Sequence, residues 1–339
     1  MKRVLIRKPG GHEALELVEE KDPAPGPGQV RVRTRAAGIN YADTVVREGF
    51  YEAAKGQYPI TPGFEFSGVV DGVGSGVSEF RDGDRVVGFT RFGGYSSVQI
   101  AEPGRLRRMP DGWDFPEAAG LPAVHFTAFQ ALFKVAHVSP GETILVHSAA
   151  GGVGTALLQQ AKIAGCRAIG VVGSPKKIQT AKDYGADAVA VRGPDLWKQI
   201  DAAAPEGIDV SFDANGVTTL RPAWKRLKNG GRLIVYGFAE LMTKGGRPSW
   251  PRLIYNYLKV PRFSPLEMTT TNRSLHGFNV VFLAHRADLA KEGFDSMMRW
   301  AEEGQVKKPP VTTFPVERVA DAHKAIESGT TVGKVVLTF

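Results

Sequence analysis

The densest chemical signal in the chain is the run VHSAAGGVG at 146–154. Small residues fall at Ala149, Gly151 and Gly154, the spacing of G-x-G-x-x-G with alanine in the first place. The middle position lets backbone approach a phosphate, and the last lets a helix pack on a strand. A short apolar segment, 142–148, precedes the run, and an apolar-faced segment, 152–165, follows it. Strand, glycine turn and helix in that order present unpaired N–H groups and the positive end of a helix to an anion. The run therefore reads as a turn for the pyrophosphate of a dinucleotide, contacted by Ala149, Gly151, Gly152, Val153 and Gly154. A mononucleotide loop would end Gly-Lys-Ser/Thr, whereas Thr155 follows Gly154 directly.

The next strand, 166–173, runs into Ser174-Pro175-Lys176-Lys177. A site for NAD usually places Asp or Glu here to hold the ribose 2′-hydroxyl. Ser174 and Lys177, joined by Arg192 at the end of the following strand, instead suit a 2′-phosphate, so the expected cofactor is NADPH. A solvated, charged helix start is the plainer reading of the same lysines. Asn215 follows a strand at 208–214, and Gly237 and Phe238 follow one at 231–237. The C-terminal ends of parallel strands are where such sheets bind ligand.

The elements that must hold these residues fall into two kinds. Segments 2–8, 15–20, 29–38, 66–74, 84–89 and 95–101 alternate apolar and polar residues between glycine-rich turns, which predicts a barrel-like all-β unit. From about residue 115 strands alternate with helices: 115–136 is helical with a break at Pro122, and 176–185 is helical before a strand at 187–191. That alternation predicts a doubly wound parallel sheet in an α/β protein. The end, 314–339, reads as an amphipathic helix, a glycine stop and a strand free to return to the β unit. The stretch 238–275 matches no simple period.

Composition bounds the rest. The chain has 339 residues, enough for about two domains, and a formal charge of +8 spread without long basic blocks. No nucleic-acid module is evident, and no stretch approaches the ~20 apolar residues of a membrane helix. Cys166 is the only cysteine, which excludes an internal disulfide and fits a cytoplasmic setting.

Several segments together resemble the medium-chain dehydrogenase/reductase superfamily, in its zinc-free quinone oxidoreductase branch: AAGINYADTVVREGFY (36–51), PGFEFSGVV (62–70), GDRVVGF (83–89), GGYSSVQI (93–100), AAGLPAVHFTAFQAL (118–132), SAAGGVG and VGKVVL (332–337). FSPLEMTTTNRSLHGFNVVFL (263–283) further resembles the synaptic-vesicle amine-transport protein homologues of that branch. The resemblance covers nearly the whole chain. It implies a GroES-like β-barrel catalytic domain over 1–123, a Rossmann NADPH-binding domain over 124–264, and a C-terminal segment, 265–339, returning to the catalytic domain. It also implies a cofactor cleft between the domains and a homodimer formed through the Rossmann domains. Zinc-dependent relatives carry a cysteine and a Gly-His-Glu where this chain has Asn40 and Gly63-Phe64-Glu65. An amide and a phenyl ring do not replace a thiolate and an imidazole, so no metal is expected.

By the same resemblance Asn40 and Thr127 border the nicotinamide end of the cofactor, Lys334 reaches the cofactor from the last strand, and Asn40, Tyr51 and His125 are the candidate catalytic residues. Asp43 is expected to cap the turn that follows Asn40. Tyr51 is a proton or hydrogen-bond donor or a half-buried aromatic; His125 is a proton donor or a hydrogen-bonded interior histidine. The expected activity is hydride transfer from NADPH to a quinone or an activated alkene such as an enone, with the proton from Tyr51, His125 or solvent. The rival readings are an alkenal or enoyl reductase, and a cofactor-binding regulatory or adhesion protein without turnover.

Overall fold

The structure is a computed structural model that describes residues 1–241, 250–283 and 286–339. In chain order its strands are β1 (Lys2–Leu5), β2 (Glu16–Glu19), β3 (Val30–Ile39), β4 (Glu65–Val73), β5 (Arg85–Phe89), β6 (Val98–Ala101), β7 (Leu106–Arg108), β8 (Thr143–Val146), β9 (Arg167–Val172), β10 (Ala188–Val191), β11 (Ile208–Asp213), β12 (Leu227–Val235), β13 (Ser274–Gly277), β14 (Val311–Pro315) and β15 (Lys334–Thr338). Four helices carry the argument: α1 (Tyr41–Glu48), α2 (Phe115–Ala119), α3 (Pro122–Phe129) and α4 (Gly152–Ile163). The described residues divide into two compact units, one of Met1–Val124 with Val281–Phe339 and one of the residues between His125 and Val280.

The first unit is built on a seven-stranded sheet in the order β14-β15-β3-β4-β5-β7, with β6 also on β3. The period-2 segments 29–38, 66–74, 84–89 and 95–101 contribute to it because each buries one face, with Val30, Val32, Phe66, Val70, Val86 and Leu106 in one core cluster. Segments 2–8 and 15–20 instead supply β1 and β2, which pair antiparallel as a separate two-stranded sheet. β15 does return, pairing antiparallel with β3 through Val336↔Gly38 and Leu337↔Ala37. β14, which the sequence reading did not anticipate, lies parallel to β15 on the sheet edge, where Pro315 costs no ladder hydrogen bond.

The second unit holds six parallel strands in the order β10-β9-β8-β11-β12-β13. Counted from β8 this is 3-2-1-4-5-6, and the order reverses between β8 and β11. Leu145, Ile169, Leu220, Trp224 and Leu233 form its main core.

Two expectations are corrected. Residues 265–280 do not leave with the C-terminal segment. Ser264 caps a helix, Pro265–Thr271, and β13 then extends the parallel sheet with Arg232↔Ser274 and Val235↔Gly277, so the return to the first unit begins at 281. Glu267 of that helix accepts the Trp224 indole N–H at 2.8 Å, which fixes the segment to the second unit. In 115–136 the break lies at Gly120-Leu121 rather than at Pro122, which opens α3, where a missing N–H is harmless. The helix then widens to π-helical turns over Gln130–Ala136. Of the unassigned stretch, 242–249 lies outside the described residues.

Candidate active site

In the second unit the turn after β8 lies at the strand-order reversal. Ser148 enters it with φ +55, a region that L-residues seldom adopt, and its hydroxyl donates to Asn215 Oδ1 at 3.2 Å from the end of β11. Gly151 is the N-cap of α4. A Cβ on Gly154 would stand 2.2 Å from the Ser148 carbonyl oxygen and 2.7 Å from Ala149 Cα, so no side chain fits. Alanine replaces the usual first glycine because β9 supplies the space: Ala149 Cβ faces Gly170, where a Cβ would be only 2.9 Å away.

Asn215 is 4% exposed, and its Nδ2 has no hydrogen-bond partner among the described residues. That amide donor at the lip of the turn is the kind of group a bound ligand satisfies. The Asn215 and Gly216 N–H groups both donate to Asp213 Oδ1, at 2.7 and 3.0 Å. Phe238, 39% exposed, covers Gly216, and Gly237 packs on Ala214. Ser174 and Lys177 follow β9, and the Arg192 N–H donates to Val172 O at 2.8 Å, which sets the two strand ends side by side. Partial burial lowers the Lys177 ammonium below the ordinary lysine range. The residues present therefore fit a dinucleotide: a turn closed to side chains, a helix N-terminus and an Asn215 amide without partners among the described residues, and a basic lip.

Sequence reasoning passed over His147 and Asp213. Both are fully buried beneath this turn, His147 Nε2 lies 3.9 Å from Asp213 Oδ2, and burial lowers the imidazole pKa. His125 and Thr127 lie in α3. His125 is 3% exposed, and Gln160 Nε2 of α4 bonds both its Nδ1 at 3.2 Å and its carbonyl at 3.0 Å.

The first unit gathers a second cluster. Lys334, the first residue of β15, directs its ammonium to Glu65 Oε1 at 2.6 Å and Asn40 Oδ1 at 2.8 Å. Asn40 Nδ2 donates to the same Glu65 oxygen at 2.8 Å, and the other Glu65 oxygen accepts the Ala123 N–H at 2.7 Å. Glu65 is 0% and Lys334 2% exposed. Glycines make the space: a Cβ on Gly38 would lie 2.4 Å from Glu65 Oε1, and one on Gly120 would lie 3.0 Å from Lys334 Cγ. The AAG, GFE, AAGL and VGK segments thus converge on one buried ion pair. Sequence reasoning named Lys334 and Asn40 but missed Glu65. The available signal was a carboxylate inside the otherwise apolar alternation of FEFSGVV. The Tyr51 ring lies edge-on to Phe64 at 5.9 Å and to Phe92 at 6.5 Å.

Asp43 completes this end of α1. Its Oδ2 accepts the Asn40 N–H and its Oδ1 the Gly63 N–H, each at 2.8 Å. Burial pushes its pKa up to about 7, against the opposing pull of these N–H groups, the Tyr95 hydroxyl and the Lys334 charge. The unfolded carboxyl ionises near pH 3.8. Between those values the folded chain keeps a proton that the unfolded chain has lost, so this group's contribution to stability falls as pH rises. Wild type is therefore expected to lose stability relative to Asp43→Asn from pH 4 to pH 7 and to hold a constant difference above. Melting temperatures of both proteins across that range test it; a constant difference throughout would refute it.

Two family models match: an alcohol dehydrogenase GroES-like domain over residues 26–111, and a zinc-binding dehydrogenase over residues 152–291. The chain belongs to the medium-chain dehydrogenase/reductase family, with a GroES-like unit and a Rossmann-like parallel sheet, and it groups with quinone oxidoreductases and VAT-1 homologues. It is 32% identical over 333 residues to the synaptic vesicle membrane protein VAT-1 homolog of Rattus norvegicus, covering 97% of this chain and 81% of that protein. It is 31% identical to the quinone oxidoreductase of Rattus norvegicus, covering 99% and 97%. The crystal structure of Escherichia coli quinone oxidoreductase complexed with NADPH superposes with a TM-score of 0.85 at 26% identity, covering all of both chains. The Asn40 side chain is an amide paired with Lys334 and Glu65, and Phe64 is a phenyl ring, so neither offers zinc a soft ligand. No helix among the described residues is long and apolar enough to cross a membrane.

Proposed function

We propose that this chain is an NADPH-dependent, zinc-independent reductase of quinones or α,β-unsaturated carbonyls. The observation that carries the reading is the basic lip of the parallel sheet: Ser174, Lys177 and Arg192 follow the adjacent ends of β9 and β10, and no carboxylate occurs from Gly173 to Gln179. In this reading the Ala149–Gly154 turn takes the pyrophosphate on the N-terminus of α4. Asn215 donates its spare amide hydrogen, Gly237 and Phe238 flank the ligand, and Asn40, Thr127 and Lys334 serve the nicotinamide end.

The dihydronicotinamide, when bound, supplies the hydride. An electrophilic quinone or enone accepts it without a Lewis acid, which matches a site with Asn40 and Phe64 in place of zinc ligands. Phe64 and Phe92 hold the Tyr51 ring and give an apolar wall for a flat acceptor. Gln160 engages the His125 ring, which favours Tyr51 or solvent as the proton source. Within this reading the protein is a cytoplasmic homodimer formed through the second unit, where β13 is an edge strand; sedimentation velocity reads the mass.

The purified protein, mixed with NADPH and a panel of quinones and enones, should consume cofactor faster than with NADH. Lys177→Glu should raise KM for NADPH about 10- to 100-fold, the value of one charge-assisted contact, and leave the NADH reaction nearly unchanged. Equal rates with both cofactors would sink the 2′-phosphate assignment. Tight NADPH binding without turnover of any acceptor would favour a regulatory role.

A further inference from the structure

We infer that Glu65 is a positioning residue: it sets the orientation of the Asn40 amide and holds the Lys334 ammonium against it. The inference rests on the reductase reading for its kinetic consequence, but not for its structural one.

An amide can face either way, and electron density seldom distinguishes its oxygen from its nitrogen; partners decide. Here the partners leave one solution. Lys334 carries only donors, so Asn40 Oδ1 must face it, at 2.8 Å. Ionised Glu65 carries only acceptors, so Asn40 Nδ2 must face Oε1, at 2.8 Å. Glu65 is itself fixed from three sides, by Lys334 Nζ at 2.6 Å, by the Ala123 N–H at 2.7 Å, and by Gly38, whose missing Cβ leaves the space that Oε1 occupies. One carboxylate therefore ties together the N-cap of α1, β15 and α3. It leaves Asn40, at a partly exposed position, with one amide N–H that has no partner among the described residues. That remaining N–H is the group able to meet a carbonyl oxygen gaining charge, and its direction is set by Glu65.

Glu65→Gln removes this logic while keeping size. A glutamine facing both Lys334 and Asn40 cannot accept from both with the one oxygen it has and still take the Ala123 N–H. One of its partners must then turn or be lost.

The test uses the full chain. With asparagine selectively labelled with ¹⁵N, the Asn40 side-chain NH₂ pair, assigned by its loss in Asn40→Ala, should shift and lose its protection from exchange in Glu65→Gln. In kinetics, Glu65→Gln should lower kcat about 10- to 100-fold with KM for NADPH within about twofold, and on an Asn40→Ala background the same change should add little, because its route is already gone. Unshifted Asn40 resonances would overturn the proposal whether or not the enzyme turns over. Independent, multiplicative losses in the double variant would assign Glu65 a merely structural role. Shifted Asn40 resonances in Glu65→Gln, with no turnover by the wild-type protein, would retain the positioning and overturn only the reductase reading. Glu65→Asp, charged but one methylene shorter, tests rescue; it should keep the resonance position better than Glu65→Gln, and failure to do so counts against the charge-based account.

Discussion

Gly154→Ala is expected to weaken NADPH binding by about two orders of magnitude, ~2.7 kcal/mol, and to lower stability by roughly 1–3 kcal/mol, the usual cost of forcing a group into a packed site. The cause is local and backbone-limited. The new methyl would meet the Ser148 carbonyl oxygen at 2.2 Å and Ala149 at 2.7 Å. Neither neighbour is a flexible side chain that can swing aside. The first turn of α4 must move off β8, carrying with it the N–H groups proposed to take the pyrophosphate. Ser148 has little freedom to absorb the shift, since it already sits at φ +55 and is tied to Asn215. Gly173→Ala is the matched control: it lies on the same lip, has no atom within 4 Å of its added Cβ and has an ordinary φ. Fluorescence titration of NADPH against the three proteins, with melting curves, reads both effects. Binding by the Gly154 variant equal to wild type would show that the turn is not the phosphate site.

This turn was readable from sequence because its constraint is local: spacing, strand before and helix after all fall within about twenty residues. The returning β15 was readable for a similar reason, as a short apolar strand beyond a glycine stop. The Glu65–Lys334 pair was not, because its partners are 269 residues apart and no local pattern joins them. Taken alone, Glu65 looks like one charge in a strand and Lys334 like another; only the pairing of both β15 and β4 with β3 brings them together. His147 and Asp213 escaped in the same way, each reading as a single polar residue at the end of an apolar strand. The misplaced boundary at 264 is a different failure. Ser264-Pro265-Leu266-Glu267 carries the cap and first-turn signature of a helix, and the following Ser274–Gly277 is too short to stand out as a strand without its neighbour β12. The π-helical turns at Gln130–Ala136 left no composition signal at all.

The second large effect is expected from Lys334→Met, which should destabilise the first unit by about 3–5 kcal/mol, the cost of leaving one member of a buried ion pair alone. Glu65 is 0% exposed, so its carboxylate cannot turn to water. The Ala123 and Asn40 N–H groups would remain, but two neutral donors do not replace an ammonium at 2.6 Å. The loss should be concentrated in β15 and β3, because Lys334 begins the strand that closes onto Ala36–Ile39. Removing the second charge as well should reverse most of it: Glu65→Gln/Lys334→Met buries no ion, and methionine fills the lysine stem's place with apolar atoms. Hydrogen exchange of the β3 and β15 amides, read with denaturant unfolding, separates the cases. A single variant within about 1 kcal/mol of wild type, or a double variant as unstable as the sum of its parts, would show that the pair is not an internal charge balance. The recovered stability need not bring back activity, since the double variant still lacks both the ammonium and the carboxylate that orient Asn40. A stable but slow double variant is therefore the expected outcome, and it would separate what this ion pair does for folding from what it does for the site.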